Sequence, residues 1–388
     1  MNEAPEGITD CQFRTRIVQG EGTISRTGLL AKELSAKRAL IVTDHGIVVA
    51  GHVQKAIDSL KESGIEAVVF DGAEENPTTV HVEETVQFAR ETHPDLIIGL
   101  GGGSSLDTAK GCNFLLAGGG RMQDYWGTGK GKGNFLPMIA IPTTGGTGSE
   151  MQSYALISDS ETHLKMACGD VRAACAVAIL DPLLTLTQPA QVTAVTGIDA
   201  ISHAVETWVS RRRSPLSMMF SREAFRLLSR AFPAVIQTPD SVQARADMQL
   251  GAALAGLAIE NSMLGAAHAL ANPVTSRFGT IHGQAVGITL PHVVRFNGER
   301  FGEWYLDLLI AAGLWPADAA TDSAGEILAN LLGQWVAMAG LYGALTDCGV
   351  GDSHVSTLST EAVAQWTAGF NPRPVSAADA AQLYRNAL

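Results

Sequence analysis

The chain has 388 residues, 46% of them hydrophobic and 17% charged, a balance that supports a sizeable core and excludes a disordered polar chain. Its formal net charge is −12, and its one basic cluster, SRRRS at 210–214, is too short to neutralise phosphates and reads as a solvated or interface patch, so nucleic acid is not an expected partner. The five cysteines (Cys11, Cys112, Cys168, Cys175, Cys348) are odd in number with no CxxC spacing, the start MNEAPEGITD is too polar for a signal peptide, and no charge-free apolar run reaches about 18 residues; the expected setting is a reducing cytoplasm, without a membrane span.

Strand and helix patterns alternate through the first half. RALIVTD (38–44) reads as a buried strand ending in Asp44, and VQKAIDSLKESG (53–64) as a helix closed by Gly64. IEAVVFDG (65–72) is a second strand and VHVEETVQFARETH (80–93) a second amphipathic helix. DLIIGLGGGSSLDTAKG (95–111) combines a strand, a glycine turn and a helix start, and LPMIAIPTT (136–144) is a further strand. Strands interleaved with helices predict a parallel, doubly wound sheet. LDPLLTLTQPA (180–190), with two prolines, marks a boundary, giving domains 1–186 and 187–388. Beyond it, helical periods at 189–210, 215–236, 241–271, 283–296, 302–313, 322–343 and 357–368 predict an all-helical domain.

GLGGGSSLDTAK follows a strand and opens a helix, a context in which close backbone approach and free helical N–H groups favour a diphosphate. The spacing is neither GxGxxG nor a P-loop, and a tight turn without ligand has the same signature. Asp44, at the end of an earlier strand, can accept hydrogen bonds from ribose hydroxyls and repel a 2′-phosphate, favouring NAD over NADP, or it can simply cap the next helix. IPTTGGTGSE (141–150) adds a second glycine turn with the hydroxyls of Thr143, Thr144, Thr147 and Ser149.

TGIDAISHAVETW (196–208) places Asp199 and His203 one helical turn apart, able to converge on one ion. His268 interrupts the apolar LGAAHALANP (264–273), and His282 opens the helix after GTI (279–281). One carboxylate and three imidazoles form a donor set for Fe²⁺, Zn²⁺, Co²⁺ or Ni²⁺. Each residue alone has a plainer reading, as a helix charge, a satisfied core histidine or a cap; a shared metal explains all of them together. His292, ten residues past His282, is assigned a supporting or structural role.

GGGSSLDTAK, IPTTGGTGSE, AILDP, GIDAISHAVETW, LGAAHALANP, HGQAVGITLPHVVRFN and NPRP (371–374) together resemble the iron-containing (group III, metal-dependent) alcohol dehydrogenases, from about residue 17 to the end. The resemblance implies a Rossmann-like α/β N-terminal domain, an all-α C-terminal domain, the architecture shared with dehydroquinate synthase, and a site in the cleft between them. It implies metal ligands at Asp199, His203, His268 and His282. It implies dinucleotide contacts at Asp44, Asn76, Gly102, Gly103, Ser104, Asp107, Thr143, Thr144, Thr147 and Lys165. The expected reaction is hydride transfer between NAD(H) and a small alcohol or aldehyde at Fe²⁺ or another divalent ion, in a homodimer or larger assembly. The chain departs from the family pattern at Asn272, where HALAHP usually supplies a histidine linked to proton relay. Asn272 and His268 are therefore the expected catalytic positions, and an asparagine carries no proton. A lyase like dehydroquinate synthase, a biosynthetic aldehyde reductase of the same family (acting on a phosphonate-type aldehyde, for example) and a sensor that retained cofactor and metal but lost turnover are the competing readings.

Overall fold

A computed structural model describes residues 13–162 and 164–388; the acidic start and Cys11 lie outside them. The chain forms two compact units, one spanning Gln12–Gln188 and the other taking in Pro189–Leu388.

The first unit runs β1 (Arg16–Gln19), α1 (Thr27–Glu33), β2 (Arg38–Val42), α2 (His45–Val49), α3 (His52–Glu62), β3 (Glu66–Phe70), α4 (Thr79–Thr92), β4 (Leu96–Gly101), α5 (Gly103–Gly118), β5 (Gly127–Thr128), β6 (Met138–Pro142), β7 (Tyr154–Ser158), β8 (Lys165–Gly169) and β9 (Val177–Leu180). Six strands form a parallel sheet in the order β1-β9-β6-β4-β2-β3. Along β2, Ala39 and Ile41 pack into one core and Leu40 and Val42 into another, so both faces are covered. A strand buried on both faces carries an unbroken apolar run, which is why RALIV shows no alternation. A second, mixed sheet, β5-β8-β7, was not expected from the sequence, nor were the short strands β1 and β9. The chain leaves β2 toward β3 and leaves β4 toward β6, in opposite directions, so the sheet switches between β2 and β4, where doubly wound sheets bind ligands.

The second unit is helical: α6 (Ala190–Val209), α7 (Pro215–Gln237), α8 (Val242–Asn261), α9 (Ala266–Phe278), α10 (His282–Ala311), α11 (Ala324–Met338), α12 (Asp352–Ala364) and α13 (Ala377–Ala387). One expectation is corrected. The span 241–271 is not one helix: it breaks at 262–265, with Met263 at φ 148°, and α8 and α9 meet at a bend of 103°. The expected helices 283–296 and 302–313 are both present: α10 is two helices joined across a kink at the non-helical Phe301. Of the three arginines in SRRRS, Arg211 and Arg212 are exposed, but Arg213 is buried with its guanidinium 3.2 Å from the centroid of the Trp304 ring. Among the described residues no single helix is long and apolar enough to cross a membrane.

Candidate active site

The sheet register brings three candidate cofactor segments together. Val42 pairs with Gly99 and Gly101 with Pro142, so Asp44, the turn at 101–103 and the turn at 143–148 follow three adjacent strand ends. Asp44 is the N-cap of α2: one oxygen accepts from Ile47 N–H (3.1 Å) and the other from Ser105 Oγ (3.3 Å). The cap reading therefore holds, and the same carboxylate also lies beside the glycine turn, where a Cβ on Gly101 would stand 3.3 Å from Asp44 Oδ2.

Gly102 caps α5 with no side-chain partner, and Gly103 and Ser104 form its first turn. The two turns touch: Thr143 N–H donates to Gly101 O (3.0 Å), and a Cβ on Gly103 would meet the Thr147 side chain at 2.7 Å. At Gly102 an added Cβ would stand 3.6 Å from Thr144 Cγ2, an ordinary contact. At Gly103 only glycine avoids the Thr147 side chain.

Asp107 sits beneath the cradle, buried, accepting from Ser149 Oγ at 2.6 Å. Burial raises its pKa, opposed first by Lys110 and then by Ser149. Lys110, fully buried, donates to Ser149 O (2.6 Å), Ser149 Oγ (2.8 Å) and Tyr154 O (2.9 Å). Sequence reasoning missed this lysine, although the i,i+3 spacing of Asp107 and Lys110 was readable. Asn76 is exposed, with a left-handed backbone (φ 53°). Its loop meets β7 through Ser158 N–H to Pro77 O (2.8 Å), and Lys165 lies opposite Ser158 on β8.

The second candidate group lies wholly in the helical unit. His203 Nε2, His268 Nε2 and His282 Nε2 stand 3.5, 3.4 and 3.9 Å from one atom, Asp199 Oδ1. Ligand atoms of Asp199, His268 and His282 all lie within 4.8 Å of one another. The His203 ring stacks on His268 with centroids 5.0 Å apart. Asp199, His203 and His268 are buried and His282 is half-buried. Asp199 Oδ1 and His268 Nε2 are buried with no hydrogen-bond partner. Buried polar atoms without partners are costly, and atoms bound at about 2.1 Å to one ion stand roughly 3.4 Å apart when tetrahedral. Asp199, His268 and His282 could hold a single divalent cation; His203 falls outside the group whose ligand atoms are all within 4.8 Å, although its Nε2 stands 3.5 Å from Asp199 Oδ1. His292, on α10, is not part of this group.

Residues 14–182 match the iron-containing alcohol dehydrogenase family, and residues 193–388 match the C-terminal region of the Fe-containing alcohol dehydrogenases. The chain belongs to the iron-containing alcohol dehydrogenase family. It is 32% identical to the NAD-dependent methanol dehydrogenase of Bacillus methanolicus, over 96% of this chain and 97% of that one. It is 33% identical to the 1,3-propanediol dehydrogenase of Citrobacter freundii, over 95% and 96%. A solved 1,3-propanediol oxidoreductase superposes with a TM-score of 0.95 at 31% identity, covering 98% of this chain and 100% of that one.

As an iron-containing alcohol dehydrogenase, the chain is an oxidoreductase of alcohols and aldehydes, linked to a nicotinamide cofactor and a divalent metal. Its charge environment suits a cation. Burial pushes the Asp199 carboxyl up, but His203, His268 and His282 together outweigh it and hold it below the usual carboxylate range. Burial disfavours a charged His268, but Glu206 and Asp199 outweigh it and raise the ring to about 9. Sequence reasoning also missed Glu206, which lies on the Asp199 face of α6 at i+7 from Asp199 and i+3 from His203. The break before α9 places His268 in that helix's first turn. One turn later Asn272 Nδ2 donates to Gln365 Oε1 (3.2 Å), so an amide pair occupies the position where the family usually has a histidine.

Proposed function

We propose that this dehydrogenase interconverts a small alcohol and its aldehyde with NAD(H), using one Fe²⁺ or similar divalent ion held by Asp199, His203, His268 and His282. The observation that carries the reading is the approach of three imidazole nitrogens to one carboxylate oxygen. When bound, the ion supplies a Lewis acid for the substrate oxygen. The remaining work falls to the chain. The N–H groups at Gly102, Gly103 and Ser104 and the hydroxyls of Thr143, Thr144 and Thr147 hold the pyrophosphate. The Asp44 carboxylate accepts from the ribose hydroxyls and disfavours a 2′-phosphate, which selects NAD. Asn272 positions an oxygen by hydrogen bonding and moves no proton, so the substrate proton passes to water. The methanol and propanediol relatives support short primary alcohols and 1,3-diols as first substrates.

The test is reduction of a panel of short aldehydes, followed as NADH consumption, with NADPH in parallel and with the metal removed and restored. Turnover with NADH that disappears on chelation and returns with Fe²⁺ is expected. Cofactor and metal binding without turnover on any aldehyde or alcohol would replace the dehydrogenase reading with the sensor. Turnover unaffected by chelation would remove the metal from the reaction.

A further inference from the structure

We propose that Glu206 is a positioning residue that fixes the ring of His268 and completes the charge of the metal site; the proposal rests on the metal reading above. Glu206 is buried on α6, and each of its oxygens has one donor. His268 Nδ1 meets Oε2 at 2.5 Å, and Ala267 N–H donates to Oε1 at 2.6 Å. Both donors belong to consecutive residues in the first turn of α9, so one carboxylate ties down the start of that helix and the ring projecting from it. A carboxylate is favoured at a helix N-terminus, and the absence of a Cβ at Gly265 lets this one approach: an added Cβ would stand 3.1 Å from Glu206 Oε1.

The hydrogen bond has a chemical consequence. With Nδ1 donating to Glu206, a neutral His268 carries its lone pair on Nε2, the atom 3.4 Å from Asp199 Oδ1. The opposite tautomer would set a lone pair against the carboxylate and turn an N–H toward the cation. Charge leads to the same residue. Three neutral imidazoles and Asp199 bring one negative charge to a dication, leaving a net positive charge in a buried site. Glu206, behind His268, brings the second negative charge and makes the assembly neutral, which a low-dielectric interior favours. The inferred specificity is for a divalent ion over a monovalent or trivalent one of similar size.

The test is Co²⁺ binding to the metal-free protein, measured by competition with a chelator and by the visible Co²⁺ spectrum, which reports ligand orientation independently of activity. Glu206→Gln keeps the size but can accept from only one of the two donors. It is expected to weaken binding roughly ten- to a hundredfold and to shift the spectrum. Glu206→Asp keeps the charge but is one methylene too short for both bonds, so an intermediate affinity is expected; it also serves if the glutamine variant does not fold. Wild-type affinity and spectrum in either variant, while His268→Ala loses Co²⁺, would overturn the role of Glu206 alone. Failure of the wild type to bind Co²⁺ would overturn the metal reading and this proposal together.

Discussion

Lys110 tests the cofactor cradle at its foundation. Its ammonium is fully buried, donates three hydrogen bonds to Ser149 and Tyr154, and lies 3.8 Å from Asp107. Lys110→Met keeps a comparable unbranched chain but leaves those three acceptors without that donor and Asp107 without its cation. Breaking one side of a buried pair costs about 3–5 kcal/mol, and each abandoned buried acceptor adds to that cost. A loss of roughly that size is expected in urea unfolding, with affinity for NAD falling about tenfold as the 147–149 turn loosens (roughly 1.4 kcal/mol). Because the penalty comes from a stranded charge, Asp107→Asn should be less damaging in the methionine background than in the wild type. A methionine variant within about 1 kcal/mol of wild type, or strict additivity of the two changes, would refute the reasoning.

Other expectations follow from the same geometry. Asp44→Gly should move cofactor preference toward NADP, measured as the ratio of the two kcat/KM values; an unaltered ratio would count against the ribose contact. His268→Ala should strip the metal, so near-stoichiometric metal by elemental analysis would take it out of the donor set. Asn272→His should introduce a titrating group and reshape the pH profile of kcat, whereas a superimposable profile would place the proton route elsewhere. Burial raises Glu150 from 4.5 to about 7 in the folded state. Stability linked to that proton is complete below the unfolded value and is lost as pH rises through about 7, so Glu150→Gln should gain on the wild type by up to about 3 kcal/mol between roughly pH 4 and 8. A gap in melting temperature that stays constant across that range would contradict the assignment.

Much of the site could be read from residue types alone. Asp199 and His203 share one helix, so spacing placed them together; His268 and His282 stood out as polar residues in Ala/Leu/Gly-rich surroundings. The break at 262–265 was not visible, because SMLG continues an apolar, helix-compatible run and the deciding features are tertiary: the positive φ of Met263 and the approach of Glu206 to Gly265. Without that break His268 appeared mid-helix, and its Glu206 partner, three helices back in the chain, had no local signal. Lys110 was hidden for a related reason, since its acceptors lie about 40 residues downstream. β1 and β9 are four residues each, too short for periodicity to register, and they take their order from pairing with one another and with β6. α13 was missed because ADAAQLYRN is weakly apolar and its core contacts, Leu383 and Tyr384, are long-range.

The most direct measurement is anomalous diffraction at the metal edge from crystals of the protein grown with Fe²⁺ or Zn²⁺. A single peak within about 2.3 Å of the Asp199 carboxylate and of Nε2 of His203, His268 and His282 is the predicted result. A peak bound elsewhere, or these four side chains left without an ion at saturating metal, would contradict the account.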